Sequence, residues 1–202
     1  MIGGHVAVVI AAGGSSRLGR PKQLLTRDGE TLVRRAVRLA SATSPSRLLV
    51  VVGASAETVV PELDAADCEV LFNAQWREGL ASSLQAVSAS LLAFAGPVLV
   101  IVCDQPALES RHLAALLDAA NAAASGASAS RYADVFGVPV VVPGTWFSHG
   151  ELRGNQGFGP RLRALPTGAL ALIEAPELRL DIDTPRDATD AAARGLLDAI
   201  EW

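Results

Sequence analysis

Residues 5–22 read HVAVVIAAGGSSRLGRPK. The run Val6-Ala7-Val8-Val9-Ile10 is apolar without alternation and rich in β-branched side chains, the pattern of a strand covered on both faces. It gives way to Ala11-Ala12-Gly13-Gly14-Ser15-Ser16, and Arg17, Gly19, Pro21 and Lys22 follow. Glycines admit positive φ and leave no side chain in the way, so a loop of this composition can turn several backbone N–H groups toward one anion. Arg17 and Lys22 stand close enough behind it to neutralise phosphate oxygens. The stretch predicts a buried strand that feeds a site for a nucleoside triphosphate.

Two other phosphate loops are excluded by spacing. The dinucleotide fingerprint needs G-x-G-x-x-G opening directly into a helix, which Gly14 and Gly19 do not provide. The P-loop needs Lys-Ser/Thr after its second glycine; Arg20-Pro21 stands there instead, with no hydroxyl for magnesium and one N–H fewer. A strand-to-helix turn without ligand is the plain alternative.

Further apolar runs at Leu48 to Val52, Val70 to Phe72, Val98 to Val102 and Val138 to Val142 resemble the first. Helical spacing lies between them: Leu32, Ala36 and Leu39; Leu80, Leu84, Val87 and Leu91; Leu113, Leu116, Leu117 and Ala120, with Ser110 as N-cap. A last helix is announced by Thr184, Pro185 and Asp187 and is expected to carry Leu196, Leu197 and Ile200 on one side. Alternation of strand and helix predicts an α/β fold, a mostly parallel central sheet with helices on both faces. Residues 1–202 are expected to form one domain. Ala119 to Ser130 reads as a helix end running into a loop, and 131–159 as an excursion over the sheet edge that walls a pocket.

The chain of 202 residues is half hydrophobic, 19% charged and carries a formal net charge of −4. No basic field argues for nucleic acid and no polybasic block for a membrane surface. A phosphate ligand must therefore be met locally. Cys68 and Cys103 are not spaced as a metal pair or a disulfide framework and are expected to be buried free thiols. The N-terminal run is too short to span a bilayer and has no basic leader, so a cytoplasmic protein is expected.

In parallel sheets ligands bind beyond the carboxyl ends of the strands. Asp104 stands there after Val98 to Val102, placed either to hold a hard cation or as an ordinary turn residue. Asp181 and Asp183 share one face of an alternating stretch, and either could meet Asp104 across the site. Asp183 could instead cap the last helix. A third cluster holds Asn73, Trp76, Gly79, Ser82 and Ser83 at the start of an amphipathic helix. It reads as a polar ligand site or as capping by Ser82 over a packed Trp76. His5, His112 and His149 form no ligand set or triad.

The loop Ala11 to Leu25 resembles the signature of the MobA-like nucleotidyltransferases, and within them the MocA-type molybdenum cofactor cytidylyltransferases. The Asn73–Ser83 cluster, Asp104-Gln105-Pro106, Gly137-Val138-Pro139, Gly154-x-x-Gly157 and Asp183-Thr184-Pro185 follow in that family's order. The resemblance implies a Rossmann-like nucleotidyltransferase fold. It also implies magnesium-dependent transfer of a nucleoside monophosphate, CMP from CTP, onto the phosphate of molybdopterin or its molybdenum-loaded form, with release of pyrophosphate. On it, Ala11, Ala12, Gly13, Gly14, Ser15, Ser16, Arg17, Lys22, Asn73, Gly79 and Ser83 bind the nucleotide. Arg17, Lys22 and Asp104 carry the chemistry, and Asp104 and Asp183 hold Mg2+. Gly137, Pro139, Gly154, Asn155 and Gly157 face the acceptor, and a molybdoenzyme or its chaperone is the implied partner. The chain departs from the family pattern at Asn155, where an Asp is common, and at Val138, where His is common; both lie in the acceptor region. Transfer to a sugar or polyol phosphate, and an oxidoreductase on the same fold, are the alternatives.

Overall fold

A computed structural model describes residues 4–132, 134–148, 152, 154 and 157–201. The opening run forms β1 (Val6–Ala11), every residue of it buried. A two-residue hairpin, β2 (Thr26–Arg27) and β3 (Glu30–Thr31), then leads into α1 (Leu32–Ser41). β4 (Arg47–Val52), a short α2 (Ala56–Val59), β5 (Glu69–Phe72), α3 (Leu80–Ser88), β6 (Pro97–Val102) and α4 (Ser110–Ala122) complete the alternating part. β7 (Ser128–Tyr132), β8 (Val135–Pro143), α5 (Gly159–Arg163), β9 (Ala171–Glu174) and α6 (Pro185–Ala193) follow.

Seven strands form one sheet in the order β5-β4-β1-β6-β8-β7-β9. Six run in one direction and β8 alone runs against them, pairing antiparallel with both β6 and β7. Successive residues of the central strands feed opposite cores. Ala7, Val9 and Ala11 pack with Val50, Leu99, Ile101 and the apolar sides of α1 and α4. Val6, Val8 and Ile10 pack with Leu49, Val51, Val100 and the Leu84–Val87 side of α3. A smaller cluster joins Leu18, Leu25 and Leu32 to Ile182, Ala188 and Ala191 of the C-terminal segment. This doubly covered sheet is the Rossmann-like arrangement anticipated.

Several details differ from the sequence expectation. The stretch read as an excursion at 131–159 is in part sheet: β7 and β8 form a hairpin whose second strand zips onto β6 through Leu99↔Val141 and its neighbours. β7 is a strand although it reads Ser-Ala-Ser-Arg-Tyr, because β8 and β9 flank it and buried hydroxyls of Ser128 and Ser130 donate to the carbonyls of Leu116 and Pro139. β5 is not covered on both faces. It is the sheet's edge, and Phe72 stays 65% exposed. Glu109, not Ser110, occupies the N-cap position of α4.

The N-terminus of α6 matches expectation, with Thr184 and Asp187 closing a reciprocal capping box. Its C-terminus does not. Gly195, at φ 68, ends the helix, and the Leu196 N–H turns back to the Ala191 carbonyl. Leu197 thus reaches the small core from a loop.

Candidate active site

The carboxyl ends of β1 and β6 open onto a cavity of about 550 Å³. Its rim is the loop Ala11 to Arg17, and its far wall holds Lys22, Trp76, Arg77, Gly79, Ser83, Asp104, Asp181 and Asp183. The loop's shape comes from local bonds. Ser15 sits at φ 49, and its carbonyl accepts from the N–H groups of Leu18 and Gly19. Its hydroxyl accepts from the Lys22 N–H at 3.1 Å. Gln23 had no assigned role in the sequence reading. Here it is 1% exposed, and its Nε2 donates to the carbonyls of Ala11 and Gly13 at 2.8 Å each. It ties the end of β1 to the turn that carries Lys22. A polar side chain pressed between Lys22 and the apolar pair Leu24-Leu25 was the available hint.

Trp76 shapes the other side. A Cβ on Gly14 would lie 2.5 Å from its ring, and one on Gly53 would lie 2.7 Å from the Ala12 carbonyl oxygen and 2.8 Å from Trp76 Cβ. The glycines are needed for this close approach. Backbone cannot move aside as a side-chain tip can, so Gly53→Ala is expected to cost about 1–3 kcal/mol by overpacking. A fall in urea or thermal midpoint, without loss of the cooperative transition, checks it. Arg77 lies with its guanidinium 4.2 Å from the Trp76 ring centroid, a cation–π contact at the cavity edge.

Two acidic side chains meet two basic ones, and a third acid stands in the same cavity. Lys22 Nζ donates to Asp104 Oδ2 at 2.5 Å and to Asp183 Oδ1 at 2.9 Å, and Arg17 Nη2 donates to Asp183 Oδ2 at 2.8 Å. The two distant carboxylates are brought together by backbone: the N–H of fully buried Ile182 donates to the Asp104 carbonyl at 3.0 Å. Asp181 and Asp183, on either side of Ile182, are thereby set beside Asp104. No ladder forms at 181–183, so this stretch is an extended segment rather than the strand anticipated. Burial alone would discharge Lys22, but Asp104 and Asp183 outweigh it and hold the ammonium charged well above the usual lysine range. Burial likewise opposes the Asp183 anion, and Lys22 with Arg17 overcomes it, keeping this carboxyl below its ordinary value.

Asp181 is pushed the other way, up to about 7, first by partial burial and then by the charge on Asp104. A carboxyl that holds its proton more tightly folded than unfolded makes the folded state lose stability as pH rises from about 4 to about 7. Asp181→Asn is therefore expected to stabilise the protein more at about pH 8 than at about pH 5. Urea midpoints of both proteins at the two pH values test this; a pH-independent difference would contradict it.

One buried oxygen, Asp104 Oδ1, has no hydrogen-bond partner among the described residues. With Lys22 standing between Asp104 and Asp183, the pair already holds one cation. An unused carboxylate oxygen and two carboxylates at the cavity suit a hard divalent ion. No group of three His, Cys, Asp or Glu among the described residues could hold an ion by itself. The two carboxylates could thus hold such an ion only together with ligands from outside the protein.

Asn73 is bonded within the protein. It is buried, and its amide donates to the hydroxyls of Ser82 and Ser83 at 2.9 and 3.1 Å while its carbonyl accepts from the Gln75 N–H. Its polar groups position the first turn of α3 and do not line the cavity. The α3 N-terminus is also engaged: the Ala81 N–H donates to the Gly154 carbonyl and the Ser82 N–H to that of Gly79. Gly79 and Ser83 do line the cavity.

Of the expected acceptor residues, Gly137 and Gly157 border a second, smaller cavity that shares Leu80 with the first. Pro139 is buried in β8, its carbonyl taken by Ser130, and Gly154 is exposed. Asn155 lies outside the described residues, as does His149. His5 meets Thr43, and buried His112 meets Ser130, both away from the cavity. Cys103 is a buried thiol pushed up to about 12 by burial, and Cys68 is half-buried. No helix among the described residues is long and apolar enough to cross a membrane.

A mostly parallel sheet with a glycine loop, two cations and a carboxylate cluster over its carboxyl edge is an arrangement of the Rossmann-like class. The chain belongs to the family of the MobA-like NTP transferase domain, whose model matches residues 7–167. Among curated proteins, the bifunctional protein GlmU of Corynebacterium diphtheriae is 34% identical over 119 residues, 55% of this chain and 25% of that protein. The nicotine blue oxidoreductase of Paenarthrobacter nicotinovorans is 33% identical over 111 residues, 54% of each protein. The chain thus spans about a quarter of the length of the GlmU it matches. The crystal structure of Rv0371c from Mycobacterium tuberculosis H37Rv superposes with a TM-score of 0.78 at 26% identity, covering 98% of this chain and 100% of that one.

Proposed function

We propose that this chain is a nucleotidyltransferase: it moves a nucleoside monophosphate from a nucleoside triphosphate to the phosphate of an acceptor. An acceptor phosphate oxygen attacks the α-phosphorus, the bond from that phosphorus to its bridging oxygen breaks, and pyrophosphate leaves. The nucleophile is already ionised, so the reaction needs alignment and charge neutralisation rather than a protein nucleophile or strong base. The observation that carries this reading is the meeting of Lys22 with Asp104 and Asp183 at the foot of the Gly13-Gly14 loop.

Arg17 and Lys22 bind the triphosphate, and the backbone from Ala11 to Ser16 lines it. Asp104 and Asp183 would hold the magnesium ion, which when bound supplies neutralisation of the triphosphate's charge. Trp76 restrains the loop through Gly14 and Gly53. CTP is the nucleotide and a molybdopterin-type phosphate the acceptor, on the order and identity of the motifs that resemble the MocA-type enzymes. Delivery of the product to a molybdoenzyme or its chaperone follows from the same resemblance, and the site of action is the cytoplasm.

The test is pyrophosphate release from CTP with Mg2+ and molybdopterin, with transfer of label from the α-phosphate to the acceptor. Release of pyrophosphate without labelled acceptor, or binding of NAD(P)H in place of CTP, would overturn the reading; the latter would favour the oxidoreductase alternative.

A further inference from the structure

Gln23 spends its polar groups in an unusual way. Its Nε2 donates to the carbonyls of Ala11 and Gly13, while its buried Oε1 has no hydrogen-bond partner among the described residues. A buried amide that leaves its own acceptor unpaired forfeits much of what its two donated bonds contribute. Stability is therefore a poor account of its place here. What the two bonds fix is direction. A trans peptide is planar, with its carbonyl and its N–H on opposite sides. The Gly13 carbonyl is turned to buried Gln23, so the N–H across the same peptide, that of Gly14, is turned to the exposed side of the loop, where both glycines border the cavity. The Ala12 carbonyl is likewise taken, by the Ala54 N–H at 3.2 Å, which turns the Gly13 N–H the opposite way. No carbonyl among the described residues accepts from the N–H groups of Gly13, Gly14 or Ser16.

We propose that Gln23 is a positioning residue for the triphosphate: it locks the Gly13-Gly14 peptide with its N–H toward the cavity. The peptide lies between two glycines, which lack the Cβ that restrains rotation elsewhere. Released from Gln23, it can turn over and present its carbonyl oxygen to the cavity, and that oxygen repels phosphate where the N–H attracts it. Gln23 also follows Lys22 directly, and the Lys22 N–H reaches the Ser15 hydroxyl at 3.1 Å. The same short turn thus sets the cation and the loop in register. The inference rests on the nucleotidyl-transfer reading and adds to it a residue that acts through the loop.

The test uses the full chain and Gln23→Met, which keeps the side chain's length and removes its donor. CTP, CMP and inorganic tripolyphosphate are each titrated calorimetrically at one Mg2+ concentration. In the variant, CTP and tripolyphosphate are expected to bind about tenfold or more weakly and CMP to change by less than about threefold, because the lost N–H serves the outer phosphates. The urea midpoint is expected to stay close to that of the parent protein. A general loosening of the fold would weaken CTP and CMP alike. A second measurement needs no variant: in heteronuclear NMR of the parent protein, the Gly14 amide is expected to shift on addition of tripolyphosphate while the Gln23 side-chain amide stays protected from exchange. Equal weakening of CTP and CMP, unchanged CTP affinity, or a Gly14 amide that ignores tripolyphosphate would overturn the role of Gln23 while leaving nucleotidyl transfer standing. Absence of CTP binding by the parent protein would overturn both.

Discussion

Asp104→Asn is expected to lower CTP-dependent pyrophosphate release by about 10²–10³-fold, the cost typical of removing one electrostatic group from a preorganised site. The amide keeps the shape of the side chain and one hydrogen-bond acceptor, so packing around the end of β6 survives. What disappears is a carboxylate charge whose Oδ2 Lys22 meets at 2.5 Å and whose Oδ1 has no hydrogen-bond partner among the described residues. Loss of turnover with an unchanged circular dichroism spectrum is the anticipated result. Turnover within about threefold of the parent protein would remove Asp104 from the chemistry, since a group acting on developing charge is worth far more than that.

Lys22→Met is expected to have two effects of opposite sign. In the absence of nucleotide, Lys22 neutralises Asp104 and Asp183 at 2.5 and 2.9 Å and is only 13% exposed. Replacing it with an apolar chain of similar length leaves two carboxylates facing each other, so Mn2+ should bind the nucleotide-free variant about tenfold or more tightly than the parent. Water-proton relaxation or electron paramagnetic resonance titration reads this without any turnover. CTP binding and turnover should fall together, because the triphosphate loses a cation. Weaker Mn2+ binding in the variant would show that Lys22 supports the ion rather than competing with it. Arg17 is a lesser contributor, being 69% exposed in its contact with Asp183 and so screened by solvent.

These expectations depend on features of unequal visibility in the sequence. The strand at Val6–Ala11 and the loop after it were legible because both signals are local: an apolar run without alternation, then glycines and cations. The capping box at Thr184 and Asp187 was legible for the same reason. Less visible was β7, where serines stand in a buried strand because neighbouring carbonyls accept their hydroxyls. The antiparallel β8 was visible as an apolar run, but a run has no sign of direction, and parallel pairing was the natural assumption. An amide beside two serines, as at Asn73, reads equally well as a ligand contact or as an internal brace, and the bonds to Ser82 and Ser83 are visible only in the fold.

The order of residues alone settles that this chain builds a doubly covered, mostly parallel sheet with a glycine loop after its first strand. Strand, turn and cap preferences act within a few residues of one another, so they can be read without coordinates. Which acids face the loop was decided by tertiary structure. Asp104 and Asp183 are 79 positions apart in the chain, and they meet because Ile182 is buried in a separate small core and lends its N–H to Asp104. The smaller cavity beside Leu80 was decided the same way, by a hairpin folding onto β6. Contacts between distant segments depend on how whole elements pack, and no local pattern carries that information.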